Sequence, residues 1–379
     1  MPLPAAAHVQ SARRTGDGHP FGHHFVVGLQ PSPGLTDHDK WLLAALRPAG
    51  VILFRNNFRH DAPYDVWLGT YRRLLDDVRA CVGRDRLLVG IDHEGGRVQR
   101  APAPVTNYSY ARDWAPHAGA VGQAMGVELR SLGVNVTFAP VVDVHSNPAN
   151  PVIGARAFGT TPKAVTKAAL AFVTAVEAEG IAACPKHFPG HGDTSVDSHH
   201  ELPVVDQDLD GLRVRELAPF RAVVDAGVRL VMTAHVVFPA LDPGVPSTLS
   251  RPIVTGLLRN ELGFDGVVVT DDIGMRAVSQ SFDQPETAVR IVNAGTDLID
   301  ICAYATDTRR ALRIADHIAD GRRSGKIPAR TLEASAERID ACLATLPQHA
   351  VLPLAEEVFA AHARLAPLYG GEVGPAAAT

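Results

Sequence analysis

The 379-residue chain is predicted to be an α/β protein: one (β/α)8 barrel of the TIM type, with extra helices after the last strand. Three observations carry this expectation. Short β-branched runs alternate with longer stretches of helical period, the pattern of βα units around a parallel sheet. Eight such runs and their helices occupy roughly 280 residues, near the ~250 typical of these barrels. Titratable side chains gather at the C-terminal ends of the runs, which share one face in a barrel. A doubly wound open sheet is the alternative architecture.

In chain order, residues 1–23 are polar and rich in Gly, Pro and His, and read as a flexible leader. The strand candidates are Phe25–Leu29, Gly50–Phe54, Leu87–Asp92, Asn135–Val144, Gly180–His187, Val228–His235, Gly266–Asp272 and Asp297–Cys302. Apolar residues at i, i+3 and i+4 predict helices over 64–81, 114–132, 163–179, 214–226, 253–262 and 285–293. Several end at a glycine suited to a left-handed cap: Gly133, Gly180, Gly227, Gly263 and Gly295. Two further helices are expected over 308–321 and 329–346, with Pro328 near the start of the second. The domain organisation is then a leader (1–23), a barrel (24–347), and a C-terminal helix with a disordered tail (348–379).

Composition excludes some classes. The chain is 46% hydrophobic and 20% charged, with a net charge of −5. It lacks the basic footprint of a nucleic-acid-binding protein. No apolar run approaches the ~18 residues of a membrane span, and the N-terminus has no secretory apolar region. The four cysteines, Cys81, Cys184, Cys302 and Cys342, are scattered without a CxxC pair. A reducing, cytoplasmic setting and a monomer acting on a small molecule are expected.

The chemistry centres on Lys186–Pro203, KHFPGHGDTSVDSHHELP. Burying so many polar groups unpaired would cost several kcal/mol each, so they are expected to line a wet concavity. Asp92, Asp143, Lys186, His187, His235, Asp271 and Asp272 all fall at predicted strand ends. In Ile91–Arg100 (IDHEGGRVQR), Asp92 and Arg100 can grip hydroxyls and Gly95-Gly96 can let backbone approach a ligand; a tight turn with solvated charges explains the same residues. Arg156, in the apolar loop NPVIGARAFG, needs an anionic or polar partner, from a ligand or from the protein. His235 fits a supporting histidine as well as a contact residue. Of Asp271 and Asp272, strand alternation turns one inward and leaves the other to be held by hydrogen bonds. Asp197 lies two residues before His199, near enough for a carboxylate to hold one ring nitrogen and present the other.

Two chemistries compete for these residues. His187, His191, Asp193, Asp197, His199 and His235 could bind zinc, although the first strand carries no HxH ligand pair. Otherwise His199 donates a proton while an Asp attacks an anomeric carbon, without a metal.

The segments IDHEGGRVQR, NPVIGARAFG, KHFPGHGDTSVDSH, VMTAHVVFPALD and LSRPIVTGLLRNELGFDGVVVTDDIGM together resemble bacterial β-N-acetylglucosaminidases of glycoside hydrolase family 3, over roughly residues 24–345. The resemblance implies a retaining exo-acting hydrolase for terminal β-linked N-acetylglucosamine, with muropeptide fragments of peptidoglycan recycling as substrates. It implies Asp271 as nucleophile, His199 as acid/base and Asp197 as its partner. Asp92, Arg100, Arg156, Lys186 and His187 match sugar-holding positions; His235 and Met275 complete the substrate-contact candidates. It implies no cofactor and no metal. Retaining glycosidases ordinarily pair two carboxylates; an imidazole in place of one makes the site less anionic, which could also admit phosphate and make the enzyme a phosphorylase. His93, His200, Gly274 and Arg276 depart from the family pattern, leaving open a biosynthetic role on another amino-sugar conjugate. A non-catalytic sugar-binding protein is a further alternative.

Overall fold

The computed structural model describes residues 18–195, 202–275, 278, 281, 283–302 and 309–370. Among the described residues eight parallel strands run β1 Phe25–Gly28, β2 Gly50–Leu53, β3 Leu88–Ile91, β4 Val136–Thr137, β5 Ala182–Ala183, β6 Leu230–Met232, β7 Val267–Val269 and β8 Ile299–Ile301. Six form one sheet in the order β5-β4-β3-β2-β1-β8, and β6 pairs with β7. Single parallel bridges connect the two groups, Phe188 to Thr233 beyond β5 and Val269 to Leu298 before β8.

Each strand lies inside its predicted run and is shorter than it. The runs around β4 and β5 keep two paired residues each. Pro140 and Pro185 interrupt them, because proline has no N–H for a sheet ladder. Pairing resumes only as an isolated bridge between Val141 and Lys186. The strands are buried on both sides, as expected when helices cover a parallel sheet. Val26, Ile52, Leu88, Val136, Leu230, Val267 and Val269 share one apolar cluster. Their neighbours Val27, Val51, Leu53, Val89, Val231 and Val268 belong to another, with the helices. That alternation is the two-residue period of a strand.

The predicted helices are present, including Tyr64–Val82, Pro162–Ala178 and Ala329–Thr345. Pro252–Glu261 winds as a π-helix. The five expected capping glycines all have positive φ, between 70° at Gly133 and 105° at Gly295. The helices Asp37–Leu46 and Leu209–Val214 have no predicted range of their own, although Thr36 and Asp39 form a capping box at the start of the first. After β8 come Arg310–Arg323, Ala329–Thr345 and a short helix, Glu356–His362. The last is anchored by a 2.6 Å bond between His362 Nδ1 and the buried Glu128. Within the segment expected to be leader, His19 and Gly22 are buried. Among the described residues no helix is long and apolar enough to cross a membrane.

Candidate active site

The C-terminal ends of the strands carry the polar residues, in two linked groups. In the first, Asp92 directly follows β3. Its Oδ1 accepts from Lys186 Nζ at 2.8 Å and its Oδ2 from Arg100 Nη2 at 3.2 Å. Lys186 also reaches Glu94 Oε1 at 2.7 Å. Glu94 in turn accepts from Arg156 Nε at 2.8 Å and Nη2 at 2.9 Å. The guanidinium of Arg100 stands 5.2 Å from the Phe54 ring centroid. Asp92, Lys186, Glu94, Arg156 and Arg100 thus form one continuous charged network.

Burial alone would raise the Asp92 and Glu94 carboxyls. The cations Lys186, Arg100 and Arg156 overcome it and hold both below the usual carboxylate range. Burial likewise opposes charge on Lys186 and Arg156, and the same carboxylates raise both. All four therefore stay charged at neutral pH, with donors of Lys186, Arg156 and Arg100 held at fixed positions. Such fixed cationic donors suit hydroxyl and carbonyl oxygens of a polar ligand.

The second group is built on Asp143, whose side chain is fully buried. Its Oδ2 meets His187 Nδ1 at 2.7 Å, and its Oδ1 accepts from the backbone N–H groups of His187 (3.2 Å) and His191 (2.7 Å). Asp143 thereby orients the His187 ring and shapes the turn after β5. Asn150 ties the neighbouring loop to this turn, donating to His191 O at 2.8 Å and accepting from the N–H groups of Val152 and Ile153. Burial pulls His191 down to about 4, so it is neutral, with Thr194 Oγ1 2.9 Å from its Nδ1.

Asp271 follows β7. Burial would raise its carboxyl, but His187, His235 and Lys186 lower it, and the N–H of Asp272 donates to its Oδ1 at 2.8 Å. It is an ionised carboxylate on the face shared with both groups. Asp272 is turned away: its Oδ1 accepts from the N–H groups of Gly274 and Cys302, each at 2.8 Å. His235 is buried, its ring nitrogens near Asp272 O (3.2 Å) and Thr248 Oγ1 (3.0 Å). Both nitrogens are engaged by protein, so its geometry is that of the supporting histidine. Met275 is buried one turn beyond Asp272.

Of the residues singled out in the sequence, Asp92, Arg100, Arg156 and Lys186 are joined directly, and His187 and His235 act on Asp271 from neighbouring strand ends. Asp197, His199, His200 and Arg276 lie outside the described residues. Among the described residues no three His, Cys, Asp or Glu side chains converge as a metal ion would need. Gly95 and Gly96 do have positive φ, but a Cβ there would lie 2.5 Å from Ser109 O and 2.4 Å from the Tyr110 ring. The space a Cβ would fill is taken by the protein's own 108–110 segment. His93 is fully buried, and neither ring nitrogen has a hydrogen-bond partner among the described residues.

Glu94 and Asp300 were missed. The signal for Glu94 was that an acid between Asp92 and two glycines, in a chain with an unpartnered Lys186 and Arg156, has cations to meet. Asp300 is enclosed in β8, where burial first and Asp272 second raise its carboxyl well above the usual range; Cys302 Sγ lies 3.1 Å from it.

Residues 32–342 match the glycosyl hydrolase family 3 N terminal domain. The chain is 39% identical over 323 residues to the β-hexosaminidase A of Pseudoalteromonas piscicida, covering 79% of this chain and 54% of that protein. It is 38% identical to a β-hexosaminidase of Alkalilimnicola ehrlichii, covering 78% of this chain and 84% of that one. Among solved structures, a glycoside hydrolase family 3 β-N-acetylglucosaminidase from Paenibacillus sp. superposes with a TM-score of 0.82 at 36% identity, over 91% of this chain and 67% of that one. NagZ from Neisseria gonorrhoeae, in complex with N-trifluoroacetyl-D-glucosamine, superposes with a TM-score of 0.74 at 30% identity, over 92% and 99% of the two chains.

The chain belongs to glycosyl hydrolase family 3, a class with a TIM-like (β/α) fold. Within that family it is a β-N-acetylhexosaminidase, a hydrolase of glycosides.

Proposed function

We propose that this enzyme removes a terminal β-linked N-acetylglucosamine by a retaining double displacement, with Asp271 as nucleophile. The observation that carries this reading is the ionised Asp271 carboxylate at the end of β7, beside the Asp92–Lys186–Glu94–Arg156 network. An anomeric carbon needs an anion on one face, and the sugar's other oxygens need fixed donors. In the first step Asp271 bonds to C1 while His199 gives its proton to the leaving oxygen. In the second, His199 takes a proton from water, which attacks C1 and releases Asp271. Asp197 raises the proton affinity of His199 and fixes its tautomer. Arg100, Asp92, Lys186, Arg156 and His187 hold the hydroxyl and acetamido groups; His235 and Met275 back the Asp271 turn.

In this reading the eight strands close into a (β/α)8 barrel through the two single bridges, over residues 24–347, and the helix Glu356–His362 lies beyond it in sequence. The substrates are muropeptide fragments in a cytoplasmic recycling route, and the enzyme is a monomer. Turnover of p-nitrophenyl β-N-acetylglucosaminide, with and without phosphate, tests the reaction. Free N-acetylglucosamine of retained configuration is the expected first product; sugar 1-phosphate would make it a phosphorylase. An Asp271→Ala variant that turns over at a substantial fraction of the wild-type rate would overturn the assignment of the nucleophile.

A further inference from the structure

Arg215 lies outside both polar groups, between the short helix Leu209–Val214 and the helix Leu217–Asp225. Its side chain is 28% exposed, and its Nε and Nη2 are both engaged. Nη2 donates to Asp193 Oδ2 at 2.6 Å and to Gln207 Oε1 at 2.6 Å. Nε donates to Glu216 Oε1 at 2.5 Å, and Glu216 is 1% exposed. Asp193 and Gln207 sit on opposite sides of the segment that contains Asp197 and His199. One guanidinium nitrogen therefore joins the chain before that segment to the chain after it.

Each stem has a further anchor. Before the segment, Asp193 Oδ1 accepts from Ser146 Oγ at 3.2 Å, and Asn147 Nδ2 donates to Thr194 O at 3.1 Å. After it, Val205 N and Val237 O, and Val237 N and Pro203 O, are bonded at 2.9 Å. The first anchor belongs to the loop beyond β4, the second to the chain beyond β6. Among the described bonds here, those of Arg215 alone tie one stem to the other. Gly190 shares this arrangement: its φ is +141°, and a Cβ there would lie 2.5 Å from Glu216 Cγ. The backbone just after His187 is thus packed on the side chain that seats Arg215.

We propose that Arg215 is a positioning residue for proton transfer: it fixes the spacing of the two stems and so the place from which His199 acts. The proposal rests on the reading of His199 as the acid/base. Holding a catalytic group in reacting geometry can supply several kcal/mol of a barrier, and a misplacement of about 1 Å can cost ~100-fold in rate. Arg215 touches no part of the Asp92–Glu94 network, so substrate binding is left largely intact when it is removed. The fork matters as well as the charge, because a lysine ammonium cannot reproduce three directed donors in one plane.

The test compares wild type, Arg215→Ala, Arg215→Lys and His199→Ala on aryl β-N-acetylglucosaminides with good and poor leaving groups, with thermal unfolding measured alongside. Protonation of the leaving oxygen matters most when the leaving group is poor. Arg215→Ala is expected to lose ~10–100-fold in kcat/KM on poor leaving groups and much less on activated ones. It should follow the leaving-group trend of His199→Ala, with Arg215→Lys only partly restored. Equal losses on all leaving groups in Arg215→Ala, beside a selective loss in His199→Ala, would overturn the role of Arg215 while leaving the acid assignment intact. A His199→Ala variant without selectivity would instead overturn the acid assignment on which this inference rests. If Arg215→Ala does not fold, Gln207→Ala and Asp193→Asn each remove one stem from the bridge and should show the same selectivity; uniform or absent losses in both would overturn the proposal.

Discussion

Glu94 grips Arg156 through two hydrogen bonds of 2.8 and 2.9 Å and shares one of its oxygens with Lys186 at 2.7 Å. It holds together two cations that would otherwise repel. Removing one member of a buried ion network leaves the others uncompensated, at a cost of roughly 3–5 kcal/mol.

Glu94→Gln should therefore damage both stability and binding. The amide retains one acceptor but loses the charge that balances Lys186 and Arg156. Thermal unfolding should show a large loss of stability, and kcat/KM should fall at least ~100-fold as the sugar-holding donors move. Near-wild-type values for both would mean that the network is not needed.

Asp143→Asn tests the orientation of His187. The amide oxygen can still accept from the backbone N–H groups of His187 and His191, whereas the charged bond to His187 Nδ1 is lost. The expected result is a fold close to native in circular dichroism and a rate reduced by ~10–100-fold, about the worth of a charged hydrogen bond. A rate unchanged across pH 5–8 would show that this orientation is immaterial.

Acid stability should be limited by buried neutral histidines. Burial is the first cause of the low values of His93 and His191, both about 4, and of His24, about 3. Each folded value lies below the unfolded 6.5, so the folded state binds fewer protons. The stability they allow is complete above pH 6.5 and is lost as pH falls toward 4 and then 3. His93 has no hydrogen-bond partner among the described residues, so an apolar replacement sacrifices nothing there. His93→Leu should raise the unfolding temperature at pH 5 more than at pH 8; the opposite order would show that the ring is protonated and paired in the fold.

Metal removal should leave turnover unchanged. The proposed chemistry uses Asp271 and His199 alone. Prolonged dialysis against EDTA followed by assay checks this, and loss of activity restored by zinc would favour the metal-dependent alternative.

Much of this protein was legible in one dimension. Eight β-branched runs, glycine caps and helical periods located the strands and most helices, because these signals depend on neighbours a few residues apart. The strand ends also exposed Asp92, Asp143, Lys186, His187, His235 and Asp271, since titratable groups beside apolar runs are rare without purpose. The helix Asp37–Leu46 was overlooked although its capping box was present. The reach of β4 and β5 was overstated because Pro140 and Pro185 deny the ladder its donors.

Partnerships were decided by the tertiary structure alone. Arg156 needed an anion, and only the fold identifies it as Glu94, 62 residues away. Lys186 meets Asp92 across 94 residues, and His187 meets Asp143 across 44. Gly95 and Gly96 pack against residues 108–110, a neighbour that the local sequence does not reveal. Local sequence specifies which backbone forms and which residues end a strand. Which charge neutralises which depends on the order in which parallel strands lie side by side, a long-range arrangement that periodicity does not encode.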